Sequence, residues 1–364
     1  MRLFQQCLTT LRAPERVGAI DVFRGVAVLA VVLYHPHRLM YGYLGVDLFF
    51  VVSGLLIGRI LLRQVGNNQS SLRLLPFVLG RGLKIWPSYY AMLGLGSLFA
   101  YIAYADTHPT YLISLEHWPR YLFFFQNYRN AAHKAFDHVW SICVEEHFYV
   151  LLPIVLIGVV RLKLAHPKVL LGIIVSAIAA GTVGKFVGHR VGFETYSATH
   201  NRIDALAWGV LLAWILEQRP EWLNTKTRRP MFVSGLLLAA LMLCWDMWWR
   251  TKWSHDVALQ IVMPASFFLT LAGTLHLPAR TRWLWPVRFI AYYSYNLYLW
   301  HPLILPAVQD KFGLGWLSEL VYFVVSMAIA VVMTWPIEEP MLRIRNAALA
   351  RLGPTKSSPR AASS

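Results

Sequence analysis

Residues 21–35 read DVFRGVAVLAVVLYH, a run apolar enough to enter a bilayer that nevertheless carries Asp21, Arg24 and His35. At about 100° per residue, the separation of Arg24 and His35 turns a helix three times plus roughly 20°, so both project from one face. Charged and titratable side chains are costly in hydrocarbon and face a protein interior or a wet cavity, where they mark proton, ion or substrate chemistry. The first helix is therefore the place to seek function.

The rest of the chain has the same apolar character. Its 364 residues are 57% hydrophobic, with a mean hydropathy of +0.48, far above the needs of a soluble core. Apolar runs near 17–36, 43–62, 85–104, 140–160, 168–188, 203–217, 231–249, 257–276, 287–308 and 317–337 predict an all-α integral membrane protein, a single bundle of about ten transmembrane helices. An even count puts the tails 1–16 and 341–364 on one face. That face carries 22 Lys and Arg against ten on the other, which makes it cytoplasmic. The net charge of +16 is then a topology signal rather than a nucleic-acid surface. Cys7, Cys143 and Cys244 have no framework spacing, so no disulfide is expected. The first run carries charge and no small-residue cleavage site, and reads as a retained span rather than a signal peptide.

Short loops imply one transmembrane domain over 17–340 and no second soluble catalytic domain. The exception is an external loop at about 105–139, with His108, His117, Trp118, Arg120, Arg129, His133 and His138 around the apolar patch YLFFF. A loop of that length reads as a lid or binding element over the bundle mouth. The terminal GPTKSSPRAASS reads as disordered.

Several later spans hold polar groups as well. In GYLGVDLFFVVSGLLIGRIL, Asp47 needs a partner, for which Arg24 is one candidate; Gly54 and Gly58 form a small-residue packing stripe, and Ser53 lies beside it. At the entry of the third span, Arg81 and Lys84 share a helical face that suits an anionic headgroup, the phosphates of a nucleotide-like cofactor, or plain membrane anchoring. In FDHVWSICVEEHFYVLLP, His138, Ser141, Glu145 and Tyr149 share a face, while Glu146 and His147 begin the other sides. Adjacent intramembrane glutamates must be paired or protonated. Arg202 and Asp204 follow in THNRIDALAWG, and Ser294, Tyr298 and His301 recur at helical spacing in YYSYNLYLWHP. His301 reads either as a second titratable group at the cavity or as a hydrogen-bonded interfacial histidine. Glu338 and Glu339 suggest a salt bridge to a neighbouring loop.

Taken in order, these segments resemble the membrane-bound acyltransferase family 3, which includes bacterial O-antigen, exopolysaccharide and nodulation-factor O-acetyltransferases and glucan succinyltransferases. The resemblance runs from Asp21 to Glu339. The family's arginine-glycine pair, followed after ten residues by histidine, is matched by Arg24, Gly25 and His35. GYLGVDLFFVVSG, WSICVEEHFYVLLP from Trp140 onward, RIDALAWG and YSYNLYLWHP match its other signatures. Lys84 departs from the family's second arginine, His147 from a common glutamine, and Glu339 from a basic residue. Lysine keeps the charge but lacks the bidentate fork. No fused hydrolase-like domain is expected.

The resemblance implies transfer of an acyl group, acetyl first among the candidates, from cytoplasmic acyl-CoA to a hydroxyl of an extracytoplasmic glycan or glycolipid, in the bacterial cytoplasmic membrane and without a metal. Arg81 and Lys84 are then the cofactor-binding residues. His35 is the candidate base or nucleophile. Arg24, about 16 Å away along the axis, binds the donor or pairs with Asp21 or Asp47. Glu145 or Glu146 is the candidate for orienting His35, with Asp21, Asp47, Ser53, Trp140, Ser141, Arg202, Asp204, Ser294, Tyr298 and His301 as substrate or structural support. The rival reading is a proton-coupled transporter or flippase of a sugar-containing substrate, because intramembrane Arg, Asp, Glu and His also build relays.

Overall fold

The computed structural model describes residues 18–66, 72–128, 133–193, 195–251, 253–276 and 284–352. Cys7, Arg129, the tail 1–16 and GPTKSSPRAASS lie outside them. Among the described residues every regular element is helical. Ten helices coincide with the ten apolar runs: α1 Gly18–Tyr34, α2 Gly45–Gly66, α3 Leu74–Tyr104, α4 Trp140–Arg161, α5 Pro167–Val191, α6 Thr199–Gln218, α7 Thr225–Trp248, α8 Leu259–Thr274, α9 Trp285–Phe312 and α10 Trp316–Met333.

Two boundaries differ from expectation. α3 starts at Leu74 rather than near residue 85, so Arg81 and Lys84 sit two turns inside a helix and not at its entry. The chain also continues beyond residue 340 as α11, Glu339–Arg351, where a tail was expected. The two helices contact each other, and the charges that lowered the hydropathy of each are Arg81 and Lys84 on α3 and Arg343, Arg345 and Arg351 on α11.

Five helical stretches are long and apolar enough to cross a membrane: Gly42–Gly66, Asp137–Arg161, Pro167–Val191, Thr225–Trp248 and Trp316–Arg351. By length and hydropathy five stretches qualify as spans, and the expected count of about ten is not confirmed by that measure. Helices such as α6 and α9 give up apolar positions to side chains that pair inside the bundle, Arg202 and Asp204 on one and Arg288 on the other. The spans differ in burial. The α2 stretch is 72% buried and forms the centre, whereas the α7 stretch is only 17% buried. The outer faces of α5, α7 and α10 expose Val183, Val187, Leu236, Leu237, Leu241, Leu320, Val324 and Val332. A contiguous aliphatic exterior of this kind suits hydrocarbon.

At the centre, α2 crosses α6 through glycines. A Cβ on Gly54 would strike the Leu206 carbonyl, and one on Gly209 would lie 2.8 Å from Gly54 Cα. Without a hydrophobic drive between helices in lipid, such close backbone approach supplies the packing. α1 lies between α2 and α9, with Gly25 against the Val287 carbonyl.

The described parts of the 105–139 connection, 105–128 and 133–139, fold back onto the bundle with one short helix, Trp118–Leu122, and several 3-10 turns. Tyr89 donates to the Tyr121 carbonyl at 2.8 Å, and Asn127 to Thr199 Oγ1 at 2.8 Å. Of the YLFFF patch, Tyr121 and Phe124 are buried while Phe123 and Phe125 face outward. Burial first, and then the neighbouring His117, lowers the basicity of His133 in this loop.

Candidate active site

Arg24 and His35 open into two chambers at opposite ends of α1. The larger, about 880 Å³, is a vestibule lined by His35, His138, Trp140, Tyr196, His255 and Tyr298, with Tyr111, Lys134 and Asp137 added by the 105–139 connection. The smaller, about 110 Å³, is lined by Arg24, Ser53, Arg81, Lys84, Glu145 and Ser294 among others. Val46 and Tyr298 line both. Tyr298 is held between the chambers: its hydroxyl donates to the His138 carbonyl at 2.6 Å and receives the Ser141 hydroxyl at 2.6 Å.

The inner pocket is a nest of cations. Arg24 donates to Ser294 Oγ at 3.0 Å. Lys84 feels the charges of Arg24, Arg81 and Arg345, opposed by Glu338. The Arg81 guanidinium lies 5.8 Å from the Tyr149 ring centroid. Glu145 answers part of this charge while accepting from Ser53 at 2.5 Å and Tyr149 at 3.0 Å. Among the lining residues Arg24, Arg81 and Lys84 face one carboxylate, Glu145, an excess that suits phosphate groups. Arg345 was missed from the sequence because α11 was read as tail.

The vestibule end is built on imidazoles. The His35 ring lies 4.9 Å from that of His301 and His301 5.5 Å from His138, centroid to centroid. No group of three or more His, Cys, Asp or Glu is placed to hold a metal ion among the described residues. At the far wall, His255 Nδ1 meets Asp246 Oδ2 at 3.4 Å and Tyr41 donates to the same oxygen at 2.9 Å. Burial first, and then Asp246, pushes the Tyr41 hydroxyl up to about 12. Isolated in sequence, Asp246 and His255 gave no motif to find them by.

Other candidates are placed differently from the sequence reading. Asp47 pairs with Arg202, not Arg24; both are fully buried, and Arg202 also donates to Gln260 Oε1 at 3.0 Å. The Arg202 guanidinium is boxed by Phe50, Trp140 and Tyr196 at 5.0–5.7 Å from their ring centroids, so it braces the vestibule wall from behind. Asp204 pairs with Lys185, and Asp21 with Arg288 at 3.1 Å. Neither glutamate of the fourth span touches His35. Glu145 lies two helical turns below His138, on the inner side of Tyr298, and Glu146 accepts from Trp86 at 3.0 Å. His147 Nδ1 sits 2.7 Å from Thr199 Oγ1. Glu338 and Glu339 meet α9 rather than a loop, accepting from Asn296 at 2.9 Å and Tyr292 at 2.7 Å. Cys143 and Cys244 are free.

The described residues form a helical bundle with an aliphatic exterior, a cationic inner pocket and a histidine vestibule, the architecture of an integral membrane protein. Residues 17–338 match the acyltransferase-domain family, and the chain belongs to it. Its relatives include a chain of Staphylococcus aureus strain COL provisionally named an O-acetyltransferase, 25% identical over 87% of this chain and 55% of its own length. The O-acetyltransferase OatA of Staphylococcus aureus strain NCTC 8325 is 26% identical over the same shares. The chain thus spans about half the length of the curated relatives it matches. No solved structure matches it.

Proposed function

We propose that the protein is a membrane O-acyltransferase that moves an acetyl group from cytoplasmic acetyl-CoA, held at the Arg24 end, to a hydroxyl of a glycan or glycolipid in the vestibule. The observation that carries this reading is the pair of chambers at the two ends of α1, cationic at Arg24 and imidazole-rich at His35, meeting at Tyr298. The family membership and the O-acetyltransferase relatives support the chemistry. In this account the chain crosses a bacterial cytoplasmic membrane about ten times with both termini inside, as the basic-residue bias favours.

Arg81, Lys84 and Arg24 bind the anionic portion of the donor, and the acyl-bearing arm reaches past Tyr298. His35 takes the proton of the acceptor hydroxyl. The oxygen forms the new C–O bond, the thioester C–S bond breaks, and the proton passes from His35 to the departing sulfur, giving free CoA and an O-acyl ester. The aromatic walls, Tyr196 and Trp140 among them, give a sugar ring flat surfaces to lie on. The buried charges that favoured a transporter are engaged in internal pairs, Asp47 with Arg202, Lys185 with Asp204 and Asp21 with Arg288.

Mass spectrometry of surface glycans from cells with and without the protein tests this. Loss of one acetyl mass is expected when it is absent; a lost succinyl mass would reassign the acyl group, and identical glycans with altered sugar export would favour a transporter.

A further inference from the structure

α9 contains WHPLILP, residues 300–306. Proline has no N–H, so Pro302 leaves the Tyr298 carbonyl without its helical donor. The His301 side chain takes over that carbonyl: its Nδ1 lies 2.8 Å from Tyr298 O and 3.1 Å from Leu297 O. Two carbonyl acceptors require a hydrogen on Nδ1, so in the neutral ring Nε2 is a lone pair. His301 is fully buried, and its Nε2 has no hydrogen-bond partner among the described residues.

Two imidazoles face it. His138 has committed its Nε2 hydrogen to the Leu299 carbonyl at 3.1 Å, and its other nitrogen is itself a buried lone pair. It has no hydrogen to give. His35, with its ring 4.9 Å away, does. Histidine χ2 is a broad and soft torsion, so the ring orientation of His35 is adjustable.

We propose that His301 is a positioning residue for His35, accepting one His35 N–H on Nε2 and so turning the other His35 nitrogen, as a lone pair, toward the acceptor hydroxyl. This rests on His35 acting as the base. The orienting role expected of Glu145 or Glu146 falls to a neutral ring whose tautomer is set by a proline in its own helix.

The test uses the purified full chain, with folded protein normalised, and compares His301→Gln, which keeps an acceptor oxygen near the Nε2 position, with His301→Leu, which does not. The Leu variant is expected to lower kcat about 10- to 100-fold, the range seen when a metal-bound histidine loses its orienting partner, with both KM values unchanged; Gln recovers most of the loss. Wild-type kcat in the Leu variant, or equal damage from Gln and Leu, overturns the proposal. Because leucine also strips the Tyr298 carbonyl of its donor, the double variant His301→Leu with Pro302→Ala restores a backbone N–H there. The kcat defect is expected to persist in it. Recovery would mean that His301 only satisfies that carbonyl, and the proposal fails. Absence of transfer in the wild type would instead defeat the assignment of O-acyltransferase activity, so the two failures are distinguishable.

Discussion

Tyr298 donates its hydroxyl to the His138 carbonyl at 2.6 Å, joining α9 to the chain just before α4 at the point where the inner pocket ends and the vestibule begins. Any acyl group that travels from Arg24 toward His35 passes this side chain. Tyr298→Ala should therefore let water through: hydrolysis of acetyl-CoA without acceptor rises while transfer to acceptor falls. Tyr298→Phe keeps the ring and should leak little. Release of free CoA, measured with and without acceptor, separates the two variants.

Arg24 is expected to act on the donor. Its guanidinium reaches Ser294 and faces the inner pocket, and a hydrogen bond to a charged group contributes about 1.5–3 kcal/mol. Arg24→Ala should thus lower kcat/KM for acetyl-CoA by about 10- to 100-fold, with the KM for acceptor unmoved. Arg24→Lys should recover only part, since the fork is lost. Steady-state kinetics with each substrate varied in turn checks this.

The buried Asp47–Arg202 pair gives a stability prediction. Removing one partner leaves an unpaired buried charge, so Asp47→Leu or Arg202→Met alone should cost about 3–5 kcal/mol, whereas the double apolar replacement should recover much of the stability. Thermal unfolding in detergent reads both. The recovered double variant should still transfer slowly, because Arg202 braces Trp140 and Tyr196 in the vestibule wall.

Gly54 and Gly66 lie in the same helix with opposite expectations. Gly54→Ala drives a methyl into the Leu206 carbonyl at the α2–α6 crossing and should cost about 1–3 kcal/mol. Nothing lies within 4 Å of a Cβ on Gly66, so Gly66→Ala should be neutral or slightly stabilising. Yield of folded protein and unfolding temperature compare them directly.

Helix placement was legible wherever apolar runs were uninterrupted, which is why α4 and α5 lie within a few residues of expectation. The start of α3 and the whole of α11 were hidden because Arg81 and Lys84 break the apolar run of the first, and Arg343, Arg345 and Arg351 lower the hydropathy of the second. The shared face of Arg24 and His35 was expected from periodicity; α1 ends at Tyr34, so His35 lies one residue past it. Partner identity does not follow from periodicity: Asp47 found Arg202 from a helix 155 residues on, and Glu145 settled below Tyr298 because its rise along α4 takes it away from His35. The tautomer of His301 was in principle readable from the proline that follows it, but the nearness of the His35 ring was not.

Donor and acceptor are expected to meet at His35 from opposite sides of the membrane. Proteoliposomes holding the protein in one orientation, with radiolabelled acetyl-CoA on the Arg24 side and a soluble glycan on the His35 side, test this. Label should reach the glycan with the wild-type protein and not with His35→Ala, while the variant still binds acetyl-CoA. Wild-type transfer by folded His35→Ala, or transfer only when both substrates share a compartment, would contradict it.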